Sequence, residues 1–141
     1  MKKVIKCWIP ILLSCVLLCL SILPVYADEQ PTPRFTNIRD CDISFSVNAS
    51  GASFSSSYVA REDTFLQARL TVKLEKKVLG LFWTDVGDTW VSDYCYNAVG
   101  HIYGTIPADG KGIYRATLRL TVYGNQGIAD VVEDTMEVRY S

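Results

Sequence analysis

The sequence predicts an all-β fold, a single sandwich of about seven antiparallel strands, on three observations. Apolar and polar residues alternate with a period of two, most clearly where Ala68, Leu70, Val72 and Leu74 interleave with Gln67, Arg69, Thr71, Lys73 and Glu75. The alternating stretches are short and evenly spaced, with turn residues such as Gly51, Arg61-Glu62-Asp63 and Gly110-Lys111-Gly112 between them. No heptad, low-complexity tract or long helical period competes with that pattern.

The N-terminus has a different character. Lys2, Lys3 and Lys6 precede an apolar run that closes with Val25-Tyr26-Ala27, the basic, apolar, small-residue order of a secretory signal peptide. Residues 1–27 are therefore expected to be removed before Asp28, leaving a secreted, extracellular protein. A retained membrane anchor is the alternative, because Trp8–Val25 has about the length of a bilayer span. Lipoprotein processing at Leu12-Leu13-Ser14-Cys15 is a further one, although it would leave a second apolar run on the mature chain. The 114 residues after Ala27 suit one domain with one core. They hold all fifteen acids and eleven of the fourteen basic residues, a net charge of −4, and form no basic track for nucleic acid.

Residues 28–37 begin DEQPTPR, two prolines among three charges, and read as an extended leader to a domain spanning 38–141. Cys41, Ile43, Phe45 and Val47 alternate with Asp42, Ser44, Ser46 and Asn48 in the first strand. Ala52, Phe54, Ser56 and Tyr58 mark a second strand poor in large side chains, and Ala68–Glu75 the third. Leu81–Val86 returns antiparallel after a turn at Val78–Gly80, with Gly87 a candidate bulge before Trp90. Gly100 and Gly104 interrupt an aromatic run over Tyr94–Ile106 that holds one or two short strands. A long strand follows through Tyr114, Ala116, Leu118, Leu120 and Val122, and Val132, Met136, Val138 and Tyr140 form the last. Arg-Leu-Thr-Val occurs at 69–72 and again at 119–122, which predicts two central strands with Leu and Val inward and Arg69 and Arg119 on a solvated face.

Three of the five cysteines lie in the signal segment, so Cys41 and Cys95 are expected to pair in the exported domain. That bridge would close a loop of about 55 residues, worth on the order of 4 kcal/mol in the chain-entropy model. The absence of C-x-x-C makes its role structural.

Catalytic and metal chemistry find little support. His101 is the single histidine, with no G-x-S-x-G elbow and no second ligand at metal spacing. Asp85, Asp88 and Asp93 form the densest acidic group, without the ligand spacing of a calcium loop, and read as charges that protect sheet edges. Neither an enzyme nor a cofactor is expected. Asn48-Ala49-Ser50 matches a glycosylation sequon.

The residues resemble small secreted immunoglobulin-like or fibronectin-like proteins of Gram-positive bacteria, many from gut anaerobes and without assigned function. The resemblance covers most of Ile38–Tyr140. It lies in Ile38-Arg39-Asp40-Cys41, in Leu74-Glu75-Lys76-Lys77 before a hairpin with Trp83 and Trp90, and in Gly112-Ile113-Tyr114-Arg115 before a strand ending Val122-Tyr123. It implies an immunoglobulin-like β-sandwich and no catalytic residues. The cysteine positions depart from antibody-type domains, since Cys41 lies in the first strand and Trp83 follows 42 residues later. Tyr114 stands where a tyrosine corner would fall, its hydroxyl bonding upstream backbone.

The expected function is a secreted, non-enzymatic binding module that displays an aromatic hairpin surface of Val78, Leu79, Phe82, Trp83 and Trp90. Its partner is a cell-envelope component, a glycan or a protein, and not nucleic acid. Strand alternation cannot bury both parities of this hairpin in one core. Either an apolar tip flanked by Lys76 and Lys77 remains outside, or Leu81 and Trp83 fold over the end of the core with Phe82 against Val78. The alternative function is carbohydrate binding, with Trp83, Trp90, Tyr94, Tyr96 and Tyr103 stacking on sugar rings.

Overall fold

The structure, a computed structural model, describes residues 35–141. The expected signal segment, its three cysteines and the leader up to Arg34 lie outside the described residues. Eight strands follow in order: β1 (Ile38–Asn48), β2 (Gly51–Ala60), β3 (Phe65–Val78), β4 (Phe82–Asp85), β5 (Trp90–Val91), β6 (Val99–Ile106), β7 (Gly112–Gly124) and β8 (Ala129–Tyr140). One sheet has the order β1-β2-β6, and the other β4-β3-β7-β8 with β5 also against β3. All pairings are antiparallel. Hairpins join β1 to β2, β3 to β4 and β7 to β8, while β2–β6 and β3–β7 pair across intervening strands. This is the Greek-key arrangement of an immunoglobulin-like β-sandwich. No helix among the described residues is long and apolar enough to cross a membrane.

Period-two alternation places the core. Leu70, Val72, Leu118, Leu120 and Val122 are fully buried between the sheets. The repeated Arg-Leu-Thr-Val segments are direct neighbours, paired about Leu70↔Leu120, so that Arg69 faces Thr121 and Thr71 faces Arg119. Their arginines lie on the outer face, Arg69 over the Tyr94 ring at 4.8 Å and Arg119 4.0 Å from Glu133. Tyr114 donates its hydroxyl proton to the Gly110 carbonyl at 2.5 Å, the tyrosine-corner contact.

The segment after β3 is an interrupted edge strand. β4 pairs with Glu75–Val78, β5 with Thr71 and Val72, and Cys95 bridges to Ala68. Between β4 and β5, Val86 N–H donates to the Leu74 carbonyl at 2.8 Å, and Gly87 then takes a left-handed φ of 70°. The edge thus bulges away from β3, which blunts it as a template for a further strand.

Two sequence expectations change. The leader does not stay clear of the domain to residue 37, because Asn37 is only 1% exposed. Its N–H and that of Ile38 both donate to Asp130 Oδ2, at 2.5 and 3.0 Å, and its amide donates to the Ile128 carbonyl. These bonds clasp the start of β1 to β8, and they satisfy backbone groups that burial would otherwise leave unpaired. The expected Cys41–Cys95 bridge is also missing, since both residues are free thiols. Cys41 lies on β1 at the margin beside β8, whereas Cys95 pairs with Ala68 at the opposite margin. Tyr58 stands between them: it is the register partner of Cys41, and its hydroxyl donates to the carbonyl of Asn97, two residues from Cys95. A disulfide requires Cα atoms within about 7 Å, so pairing these two would require Tyr58 to leave its place over Gly100.

Candidate functional site

The β3–β4 turn follows directly from its residues. Leu81 N–H donates to the Val78 carbonyl at 3.1 Å, and Leu79 and Gly80 between them have φ of 52° and 70°. Two positive φ values mark a type I′-like turn, a geometry that favours Asn-Gly and penalises a leucine in the first position. Leu79 is the one described non-glycine residue with positive φ. The turn carries its side chains outward: Leu79 is 86% exposed, Leu81 73%, Phe82 64% and Val78 42%. None of the four belongs to the core or packs against it. The arrangement in which Leu81 and Trp83 fold over the core end, with Phe82 against Val78, therefore does not describe this hairpin, since neither Leu81 nor Trp83 packs against the core.

Of the two tryptophans expected with the tip, Trp83 follows Phe82 on β4 while Trp90 is placed elsewhere. Trp83 lies on the outer face, where the Arg115 guanidinium sits 4.2 Å from its ring centroid and Lys77 Nζ 5.4 Å. Arg115 is held by Glu75, with Nη2 2.8 Å from Oε2, and Lys73 by Asp85 at 2.9 Å. The hydrogen bond to Asp85 raises the Lys73 pKa. Lys76 folds back to the Asp109 backbone and over Tyr114. Trp90 points inward against Phe54, with ring centroids 4.7 Å apart at 66°. It belongs to the packing, not to an exposed surface. Gly104 makes the room, since a Cβ there would lie 2.7 Å from both the Phe54 and Trp90 rings.

The rings proposed to stack sugars do not form one platform. Trp83 is covered by cations, Trp90 packs inward, and Tyr94 is engaged by Arg69 and Tyr123. Tyr96 and Tyr103 are 69% and 74% exposed, one in the β5–β6 connection and the other on β6.

A second surface was not anticipated from the sequence. The outer face of β1-β2-β6 has three side-chain rows in register: Asp42–Ser57–His101, Ser44–Ser55–Tyr103 and Ser46–Ser53–Thr105. Ser57 Oγ is 2.8 Å from His101 Nδ1, Ser44 Oγ is 2.8 Å from Ser55 Oγ, and the His101 and Tyr103 rings lie 5.7 Å apart at 30°. The serine–histidine distance suits a nucleophile and base, but Asp42 adjoins the serine side of the row, where it cannot orient the imidazole as a triad requires. The sequence signal was available in the outward serines of β1 and β2, once β6 was known to lie beside them.

Asp85 is paired with Lys73, while Asp88 and Asp93 are exposed around β5. Among the described residues no three His, Cys, Asp or Glu side chains are grouped to hold a metal ion. No family model matches the chain, and neither curated proteins nor solved structures yield a match, so what these surfaces do is argued from their own geometry.

Proposed function

We propose that the protein is a secreted, non-enzymatic bacterial binding module that engages a cell-envelope component through the β3–β4 tip. The observation that supports this reading is the exposure of Val78, Leu79, Leu81 and Phe82 on one turn, with Leu79 held at a φ of 52°. An exposed leucine in left-handed backbone costs roughly 1–2 kcal/mol that glycine or asparagine would not. Folding gives no return for that cost, whereas a binding surface does, and contiguous exposed apolar groups are characteristic of interaction sites. Sugar stacking by all five aromatic candidates together is disfavoured by their separate settings.

The test is a Leu79→Ser, Phe82→Ser double variant assayed by co-sedimentation with isolated bacterial envelopes. Unchanged urea stability with lost sedimentation is the expected result. A loss of several kcal/mol, as on emptying a core, or undiminished sedimentation, would refute the reading. Export is tested separately, by intact mass of the protein in culture supernatant. The expected chain begins at Asp28, and an uncleaved or Cys15-lipidated form would contradict it.

A further inference from the structure

We propose that the outer face of β1, β2 and β6 is a binding site for a neutral polysaccharide chain. It shares no residue with the β3–β4 tip and does not depend on the function proposed for it.

The two outer faces of the sandwich differ in a way that strand stability does not explain. On β3, β7 and β8 the outward residues are threonines, such as Thr71, Thr117, Thr121 and Thr135, among ion pairs including Arg115–Glu75 and Arg119–Glu133. That is an ordinary solvated β face. On β1 and β2 the same positions hold Ser44, Ser46, Ser53, Ser55 and Ser57. Serine offers the hydroxyl of threonine without the β-branch that suits a strand. What the substitution achieves is a low floor of hydroxyls, spaced about 4.8 Å across strands and about 7 Å along them.

Beside that floor stand His101 and Tyr103 on β6. Ser57 fixes the imidazole through Nδ1 at 2.8 Å, and the imidazole lies near-parallel to the Tyr103 ring. Tyr103 is thus held in place while remaining 74% exposed, so little side-chain entropy is lost when a ligand packs against it. A pyranose ring presents C–H groups to an aromatic ring and hydroxyls at its rim, and this face offers both an aromatic wall and hydroxyls able to donate and accept.

Charge narrows the ligand. No Lys or Arg projects among the three rows, while Asp42 belongs to one and Asp40 adjoins it. Neither carboxylate is in an ion pair among the described residues. They accept hydrogen bonds from sugar hydroxyls and repel an acidic polymer. Length narrows it further. One shallow groove of about 420 Å³ includes Asp42, Ser57 and His101, and another of about 280 Å³ includes Ser44, Ser55 and Tyr103. They adjoin along the strands, which suits a chain of sugars better than a single one.

The experiment is affinity electrophoresis of the purified protein in gels cast with soluble glucan, xylan or galactomannan, with polygalacturonate as the acidic control. At least one neutral polymer should retard the protein and polygalacturonate should not. Tyr103→Ala and Ser55→Lys should each weaken retardation about tenfold, as on truncating or obstructing a binding hot spot. The Leu79→Ser, Phe82→Ser variant should run as the parent does, which separates this site from the tip. Thermal melting of each variant runs in parallel, and if either is destabilised, Ser46→Lys on the edge strand β1 decides in its place. No retardation by any neutral polymer, equal retardation of the face variants, or equal binding of polygalacturonate would overturn the proposal.

Discussion

Tyr58 occupies space that β6 leaves open by having no side chain at position 100. A Cβ on Gly100 would lie 2.4 Å from the Tyr58 hydroxyl oxygen and 2.5 Å from its ring, although the Gly100 backbone itself is ordinary. The requirement is therefore for space and not for an unusual φ. The hydroxyl in turn donates to the Asn97 carbonyl at 2.9 Å, tying β2 to the β5–β6 connection. Gly100→Ala should accordingly destabilise the domain by about 1–3 kcal/mol, the usual result of overpacking, in urea denaturation. Alanine at Gly110, with nothing within 4 Å but a φ of 64°, should incur only the smaller backbone penalty. The cysteines give a second prediction at this scale. Intact mass should match two free thiols, and Cys41, whose pKa is raised by burial, should react slowly with alkylating reagents at neutral pH. A deficit of two hydrogens reversed by reductant would show a disulfide after all. From sequence the pairing was reasonable, because nothing in residue spacing reveals that Tyr58 stands between two margins of a sandwich.

The strands that were plain in the sequence are those with one buried face. β3 and β7 alternate without interruption because each is central in its sheet, and the predicted third strand and long late strand correspond to them. The sequence does not decide β6, since its inward positions are Gly100, Ile102, Gly104 and Ile106, two of which have no side chain to report a face. Their partners Tyr58 and Phe54 on β2 supply the missing volume, information that lies more than forty residues away. The same distance hid the serine face, whose rows exist only once β2 lies between β1 and β6. The β3–β4 hairpin is legible in its alternation, while Trp90 is not: adjacency to a greasy turn suggests the surface, but β5 pairs back on β3 and turns the ring toward Phe54. The hairpin yields a prediction that sets stability against binding. Leu79→Gly relieves the positive φ and should raise stability by roughly 1 kcal/mol or slightly more, measured by denaturant midpoint. It should simultaneously weaken envelope association. A glycine variant that is no more stable would mean the turn is not strained at Leu79, and would remove the main support for the tip as a binding surface.

At the scale of the domain, the groups among the described residues with displaced pKa values all act in the alkaline direction. Burial holds the Tyr58 hydroxyl protonated well above its ordinary value of 10.0, with the neighbouring Cys95 thiol adding to the effect. Burial likewise raises the Cys41 thiol above 9.0. In the unfolded chain both groups ionise near their ordinary values, so above about pH 9 unfolding releases protons that the folded protein retains. Stability must then fall as pH rises, beginning near the unfolded values and continuing up to the folded ones. Lys73 works in the same sense, since its partnership with Asp85 contributes fully below 10.5 and is lost as pH climbs through its raised folded value, though its exposure keeps that contribution small. The melting temperature should therefore hold nearly level from pH 7 to about 9 and then decline. Tyr58→Phe separates the causes. It should cost about 1 kcal/mol at neutral pH, where the Asn97 carbonyl loses its donor, yet it should make the alkaline decline shallower because the largest displaced group is gone. A variant with the neutral loss and an unchanged alkaline slope would show that Tyr58 is not the group that limits the fold at high pH.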